Sequence, residues 1–203
     1  MLYCTLQDGK PIRYPCGEVQ FHIYTDVIVA GVGTAGSAAM LQLSEWKIDC
    51  IGIEVYSMIG GSTSVGLVWN YFHGSPGHIE YHTVDENVFV KNASGENGYL
   101  RAHAQENTIR TNGGKLLLNA RIIGVYADSS EDLLVIKGVH VLKDGQEVRI
   151  AAKVLIDSTG DAYAHRMVDC AVPMGRKLDG RGQYESILAL KMEENHIAYT
   201  DIS

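Results

Sequence analysis

The feature that most constrains this chain is a glycine-spaced turn between an apolar strand and a helix. Asp26-Val27-Ile28-Val29-Ala30 is a short run rich in β-branched residues, as a buried parallel strand requires. It stops at Gly31-Val32-Gly33-Thr34-Ala35-Gly36. From Ser37 to Trp46 small and apolar residues recur at helical spacing, with Ala38, Ala39 and Leu43 near one face. Cys50-Ile51-Gly52-Ile53 resumes strand character and ends at Glu54. Strand, glycine turn, helix and strand in that order make a βαβ unit.

Such a turn suits a pair of phosphates. They approach a backbone closely only where side chains are missing, and the first turn of the helix offers free N–H groups to their charge. Gly31 permits the sharp exit from the strand and Gly33 leaves room for a pyrophosphate. Thr34 and Ala35 open the helix, and Gly36 lets it pack on the strand. Glu54, eighteen positions past Gly36, ends the second strand. A carboxylate there accepts both ribose hydroxyls of an adenosine and repels a 2′-phosphate, which argues for a dinucleotide other than NADP.

The remaining pattern sets the architecture. Before Tyr24, turn chemistry at Asp8-Gly9 and Pro15-Cys16-Gly17 separates short apolar stretches, which reads as a small hairpin-like appendage. Residues 56–98 are rich in glycine, histidine and aromatics without a period, and read as loops with short helical pieces. Tyr99 to Thr111 is compatible with a helix stopped by Gly113-Gly114. Strand character follows at Leu116 to Leu118 and at Arg121 to Tyr126. Asp144-Gly145 is a hairpin signal between two further strands, Leu133 to Leu142 and Glu147 to Ile156. A short helix is expected to end by Asp169, and a new strand to begin near Ser186.

Composition narrows the class. A hydrophobic fraction of 46%, with 20% charged residues, belongs to a globular chain. The net charge of −7, without a basic stripe, argues against nucleic acid as a partner. No apolar run is long enough to span a bilayer, so no membrane partner is expected. Cys4, Cys16, Cys50 and Cys170 are scattered without a CxxC pair, which favours a reducing, cytoplasmic setting over a disulfide framework. Cys4 and Cys16 flank the Asp8-Gly9 turn, but their spacing alone gives a bridge little support.

Three segments together carry a resemblance. After Glu54 the chain reads Val55-Tyr56-Ser57-Met58-Ile59-Gly60-Gly61-Ser62-Thr63-Ser64-Val65-Gly66. Later, Val154-Leu155-Ile156 leads into Asp157-Ser158-Thr159-Gly160-Asp161, and Arg121-Ile122-Ile123-Gly124-Val125 lies between. With the glycine turn, these resemble the glutathione-reductase-like flavoproteins, and more narrowly the bacterial FAD-dependent oxidoreductases, from about Asp26 to Met192. The resemblance implies FAD as cofactor. It implies that Gly60, Gly61 and Ser62 line the pyrophosphate and flavin, and that Ile122 contacts the adenine. It further implies that the Thr159-Gly160 turn packs on the nucleotide while Asp161 orients it.

The expected fold is α/β: a parallel Rossmann-like FAD-binding sheet with helices on both faces and a small antiparallel crossover sheet at about 133–150. The expected domains are an appendage at 1–24, an FAD-binding domain at 25–185, and the start of a truncated or absent substrate domain at 186–203. Flavoproteins of this type continue into that domain and return with a further cofactor segment. A fragment, a split enzyme and a shortened paralogue all fit a chain ending at Ser203. The expected function is hydride transfer between an organic small molecule and flavin. The alternative is a non-catalytic FAD-binding subunit or fragment completed by a partner chain, with homo- or hetero-oligomers possible. An NAD-dependent dehydrogenase fits less well, because loops and the Asp144-Gly145 hairpin replace further alternating strands and helices.

Catalytic signals are weaker. Trp69, Asn70, Tyr71, Phe72 and His73 follow the double glycine, where the flavin ring is expected. His73 is the weak catalytic candidate, as a base, a hydrogen-bond partner or a covalent flavin attachment, although a histidine beside aromatics is more often a packed loop residue. His78 and His82 lie four apart without an evident third ligand, so no metal is expected.

Overall fold

In a computed structural model, which describes residues 1–67, 96–130, 133–172, 188–193 and 196–201, the strand after Tyr24 organises two cores at once. This strand, β3 (Ile23–Ala30), alternates. Ile28 and Ala30 belong to one buried cluster, and Val27 and Val29 to another. Successive side chains of a strand point to opposite faces, so both faces of β3 are covered. This is why the run reads as nearly all apolar instead of alternating with polar residues.

The chain begins with a hairpin, β1 (Leu2–Gln7) and β2 (Lys10–Pro15). Asp8 and Gly9 both take positive φ, 51° and 75°, as a two-residue hairpin turn requires. Cys4 pairs in register with Arg13, and Cys4 and Cys16 are free thiols. After β3 come α1 (Thr34–Glu45), β4 (Cys50–Ile53) and a single 3-10 turn at Gly61–Thr63. Next are α2 (Glu96–Thr111), β5 (Lys115–Leu117), β6 (Ala120–Ser130), β7 (Leu133–Lys143) and β8 (Gln146–Asp157). A short helix, α3 (Tyr163–Met167), follows.

The fold is mixed α/β, dominated by one eight-stranded sheet in the order β2-β1-β6-β7-β8-β3-β4-β5. β8, β3, β4 and β5 run parallel to one another. The pairs β8–β7, β7–β6, β6–β1 and β1–β2 are antiparallel. One expectation needs correction. The antiparallel strands at 133–150 do not form a separate small sheet. β8 pairs with β7 through Gln146–Ala151 and with β3 through Ile150–Asp157, so one long strand belongs to both halves. The turn between β7 and β8 is the one expected, with Asp144 and Gly145 at φ 50° and 78°.

The cluster holding Val27 and Val29 also takes Met40 and Leu41 of α1, and Ala102 and Ile109 of α2. The other takes Ile51, Ile53, Val125, Val139, Val141 and Ile150, with Ala164 and Met167 of α3. Burying one such Ile or Val contributes about 1.5–3 kcal/mol. Residues 171–203 form a second unit, in which β9 (Leu188–Glu193) and β10 (His196–Asp201) pair antiparallel.

Candidate functional site

Three neighbouring parallel strands end at one cleft. β3 leads directly into Gly31, β4 into Glu54 and β8 into Ser158, and all three residues line a cavity of about 370 Å³. A crevice outside the carboxyl ends of parallel strands is where open α/β sheets bind ligands. The start of β6 supplies another wall, Ala120, Arg121 and Ile122. It is held there because Ala120 N–H donates to the Glu54 carbonyl at 2.9 Å and Asn119 N–H to the Tyr56 carbonyl at 3.0 Å.

Gly31 has φ 77°, a region that glycine enters without strain. A Cβ there would also lie 3.1 Å from the Ser158–Thr159 backbone. Gly36 is required for another reason: a Cβ would sit 1.9 Å from the Gly31 carbonyl oxygen, so α1 rests directly on the turn. Gly33 precedes α1 and lines the cavity, with the Gly61 backbone close by. The Ser158 hydroxyl lies 2.9 Å from the Ala30 carbonyl oxygen and 2.6 Å from that of Gly31, and shares its proton between them. The two segments are thereby locked together.

Glu54 is almost wholly buried, at 5% exposure. Its Oε2 accepts the Val32 N–H at 2.7 Å and its Oε1 the Tyr56 N–H at 3.0 Å. A carboxylate has about four acceptor sites, and the bonds to Val32 and Tyr56 use two of them. Val32 lies inside the glycine turn, and Glu54 therefore fixes the shape of that turn as well as bordering the cleft.

Asp157 anchors the third wall. Burial alone pushes its carboxyl upward. Hydrogen bonds from Thr159 and His165, through side chain and backbone alike, outweigh this and hold it below the usual carboxylate range.

The cavity thus brings together Gly31, Gly33, Glu54, Gly61, Ile122, Thr159, Gly160 and Asp161. Thr34, Ala35, Gly36, Gly60 and Ser62 are not brought into this lining; Ala35 and Ser62 are exposed and Gly36 is buried. The Thr34 hydroxyl lies 3.4 Å from both the Gly60 carbonyl oxygen and the Ser62 hydroxyl, linking the glycine turn to the double glycine. His73, with Trp69 to Phe72, and the His78/His82 pair lie outside the described residues. Lining residues that the motifs did not single out as contacts are Ile53, Val55, Tyr56, Ala120, Arg121, Ser158 and Tyr163. Each adjoins a motif residue or lies two positions from one, so flanking positions were the available signal. Arg121 is the one basic side chain among the described lining residues.

Comparison with solved structures agrees with this fold. The chain is similar to THI4 of Thermovibrio ammonificans, with a TM-score of 0.55 and 17% identity over 72% of this chain and 62% of that one. It is also similar to a geranylgeranyl bacteriochlorophyll reductase-like protein of Thermoplasma acidophilum, with a TM-score of 0.52 and 15% identity over 72% of this chain and 42% of that one. The chain therefore spans less than two thirds of the length of either. No curated protein matches it significantly in sequence. The family model described as FAD dependent oxidoreductase matches residues 26–201. That match runs from β3 through β10, and the chain belongs to the FAD dependent oxidoreductase family, whose cofactor is FAD.

Proposed function

We propose that this chain is the FAD-binding part of an oxidoreductase that transfers a hydride between an organic small molecule and bound flavin. The observation that carries the reading is the convergence of the glycine turn, Glu54 and the Thr159-Gly160-Asp161 segment on one cleft at the ends of three parallel strands. The residues present fit the nucleotide half of the cofactor. Glu54 lines the cavity and offers a carboxylate to ribose hydroxyls, and Gly33 with the first turn of α1 offers N–H groups to a diphosphate. A Cβ at Gly160 would meet nothing within 4 Å, which leaves space above that turn. When bound, the isoalloxazine supplies the redox chemistry, while the protein supplies position and electrostatics.

Within this reading the four parallel strands form a Rossmann-like sheet with helices on both faces, and β6 to β8 act as the crossover. Residues 1–24 hold the hairpin at the edge of the main sheet, 25–185 serve as the FAD-binding domain and 186–203 as the entry to a substrate domain. A cytoplasmic setting suits the free thiols. No helix among the described residues is long and apolar enough to cross a membrane. The second reading is an FAD-binding subunit or piece completed by a partner chain.

The two readings separate under anaerobic conditions. With FAD bound, the chain is mixed with panels of alcohols, amines, hydroxy acids and unsaturated carbonyl compounds, and the visible flavin bands are followed. Bleaching by one class supports a self-sufficient oxidoreductase. Retained FAD that no class bleaches, until a second polypeptide is added, supports the partner-completed reading.

A further inference from the structure

Asp157 is the last residue of β8 and does not line the cleft, although Ser158, Thr159, Gly160, Asp161 and Tyr163 all do. Its side chain is 1% exposed and accepts four hydrogen bonds. Oδ1 takes the Thr159 N–H at 3.0 Å and the Thr159 hydroxyl at 2.6 Å. Oδ2 takes the His165 N–H at 2.8 Å and His165 Nδ1 at 3.0 Å. One carboxylate therefore closes the loop from 158 to 164 at both ends.

The loop needs such a tie. Ala162 sits at φ 49° and ψ 47°, a left-handed conformation that is strained for an L residue other than glycine. Strained backbone persists where its surroundings over-determine it. Here the Thr159 hydroxyl, held by Asp157, accepts the Tyr163 N–H at 2.6 Å and starts α3. From outside, the Arg166 guanidinium donates to the Gly9 carbonyl at 3.3 Å and Arg13 to the Val168 carbonyl at 2.8 Å. The N-terminal hairpin thus grips the same helix.

We propose that Asp157 is a positioning residue for the nucleotide, with His165 as its partner. It sets the path of the 158–163 turn, and so the affinity for FAD, without touching the cleft. This inference rests on the FAD reading above.

The test pairs FAD titration, read by quenching of flavin fluorescence, with amide hydrogen exchange at Thr159, Tyr163 and His165 in the full chain. Asp157→Ala is expected to weaken FAD binding about tenfold or more and to speed exchange at all three amides. Asp157→Asn keeps an oxygen for one end of the loop only, so it should recover part of the affinity. A folded Asp157→Ala chain with wild-type FAD affinity overturns the proposal. So does a lower melting temperature with unchanged affinity per folded molecule and no recovery by Asn, the pattern of a purely structural residue. Should Asp157→Ala fail to fold, His165→Ala decides, because that side chain is 53% exposed and its loss is tolerable. A roughly threefold loss of FAD affinity is then expected, and wild-type affinity overturns the proposal. A wild-type chain that binds no FAD fails the function reading instead. In that case exchange alone decides, and wild-type protection in Asp157→Ala contradicts the positioning role.

Discussion

Replacing Glu54 with alanine should damage fold and site together, and the structure sets the scale. The substitution leaves the Val32 and Tyr56 N–H groups without their acceptor. An unsatisfied buried donor costs about 1–3 kcal/mol. Glu54 borders the cleft, so water can reach part of the vacated space, and the low end of the summed range applies, about 2–3 kcal/mol. For a chain of this size each kcal/mol shifts the melting temperature by about 2–4 °C, which gives a fall of about 4–12 °C. Glu54→Gln keeps one acceptor oxygen and places an NH₂ against the other N–H, so it should fall between wild type and alanine. The assay is differential scanning calorimetry of the cofactor-free chain, followed by titration of the folded variant with FAD and with FMN. FAD affinity should drop at least about tenfold, since hydrogen bonds to a charged acceptor are worth about 1.5–3 kcal/mol. FMN, which lacks the adenosine, should respond little. A Glu54→Ala chain with unchanged melting temperature and unchanged FAD affinity would refute the reasoning.

Other substitutions probe the same frame. Gly36→Ala puts a methyl group 1.9 Å from the Gly31 carbonyl oxygen and should cost about 3 kcal/mol in urea denaturation, the upper end for overpacking; no loss of stability would show that α1 does not rest on the turn. Asp157 has a folded pKa below its unfolded value, so its contribution is complete above about pH 4 and is lost as pH falls through the folded value. Acid titration of stability should therefore show a limb below about pH 4 that Asp157→Asn diminishes. His140 is shifted downward, first by burial; Glu147 opposes the shift, while Arg149 and His22 add to it, and Tyr3 and Tyr126 also pack on the ring. The unfolded chain then binds the proton more readily, so stability should decline as pH falls below about 6.5. His140→Gln should flatten that decline, and an unaltered slope would contradict the assignment.

The elements legible in the sequence are those specified locally. The run Asp26–Ala30, the glycine turn and the acid at Glu54 lie within one βαβ unit, where spacing alone fixes geometry. Asp8-Gly9 and Asp144-Gly145 announce their hairpins because few dipeptides adopt positive φ twice. Pairing across long separations was not legible. Nothing in Leu2–Cys4 states that it lies beside Val125, Tyr126 and Ala127 of β6, which makes the hairpin part of the main sheet. A ring cluster shows the same limit. Tyr3, Tyr126 and His140 stack within about 6 Å of one another, yet they come from three strands whose registers no local pattern reveals. At the cleft, motif residues were readable because backbone approach demands glycine, whereas Arg121, Tyr56 and Tyr163 are ordinary residues placed by strand pairing. The Asp157–His165 contact spans eight positions across a turn, a spacing that belongs to no regular periodicity.

A chain that holds FAD shows it in the visible absorbance spectrum of the purified protein. Two flavin bands at near-unit stoichiometry, with FAD released on denaturation, are the predicted result. Colour that stays with the denatured chain would point to a covalent link, with His73 the first residue to replace. A folded, colourless chain that takes up no added FAD would contradict the account.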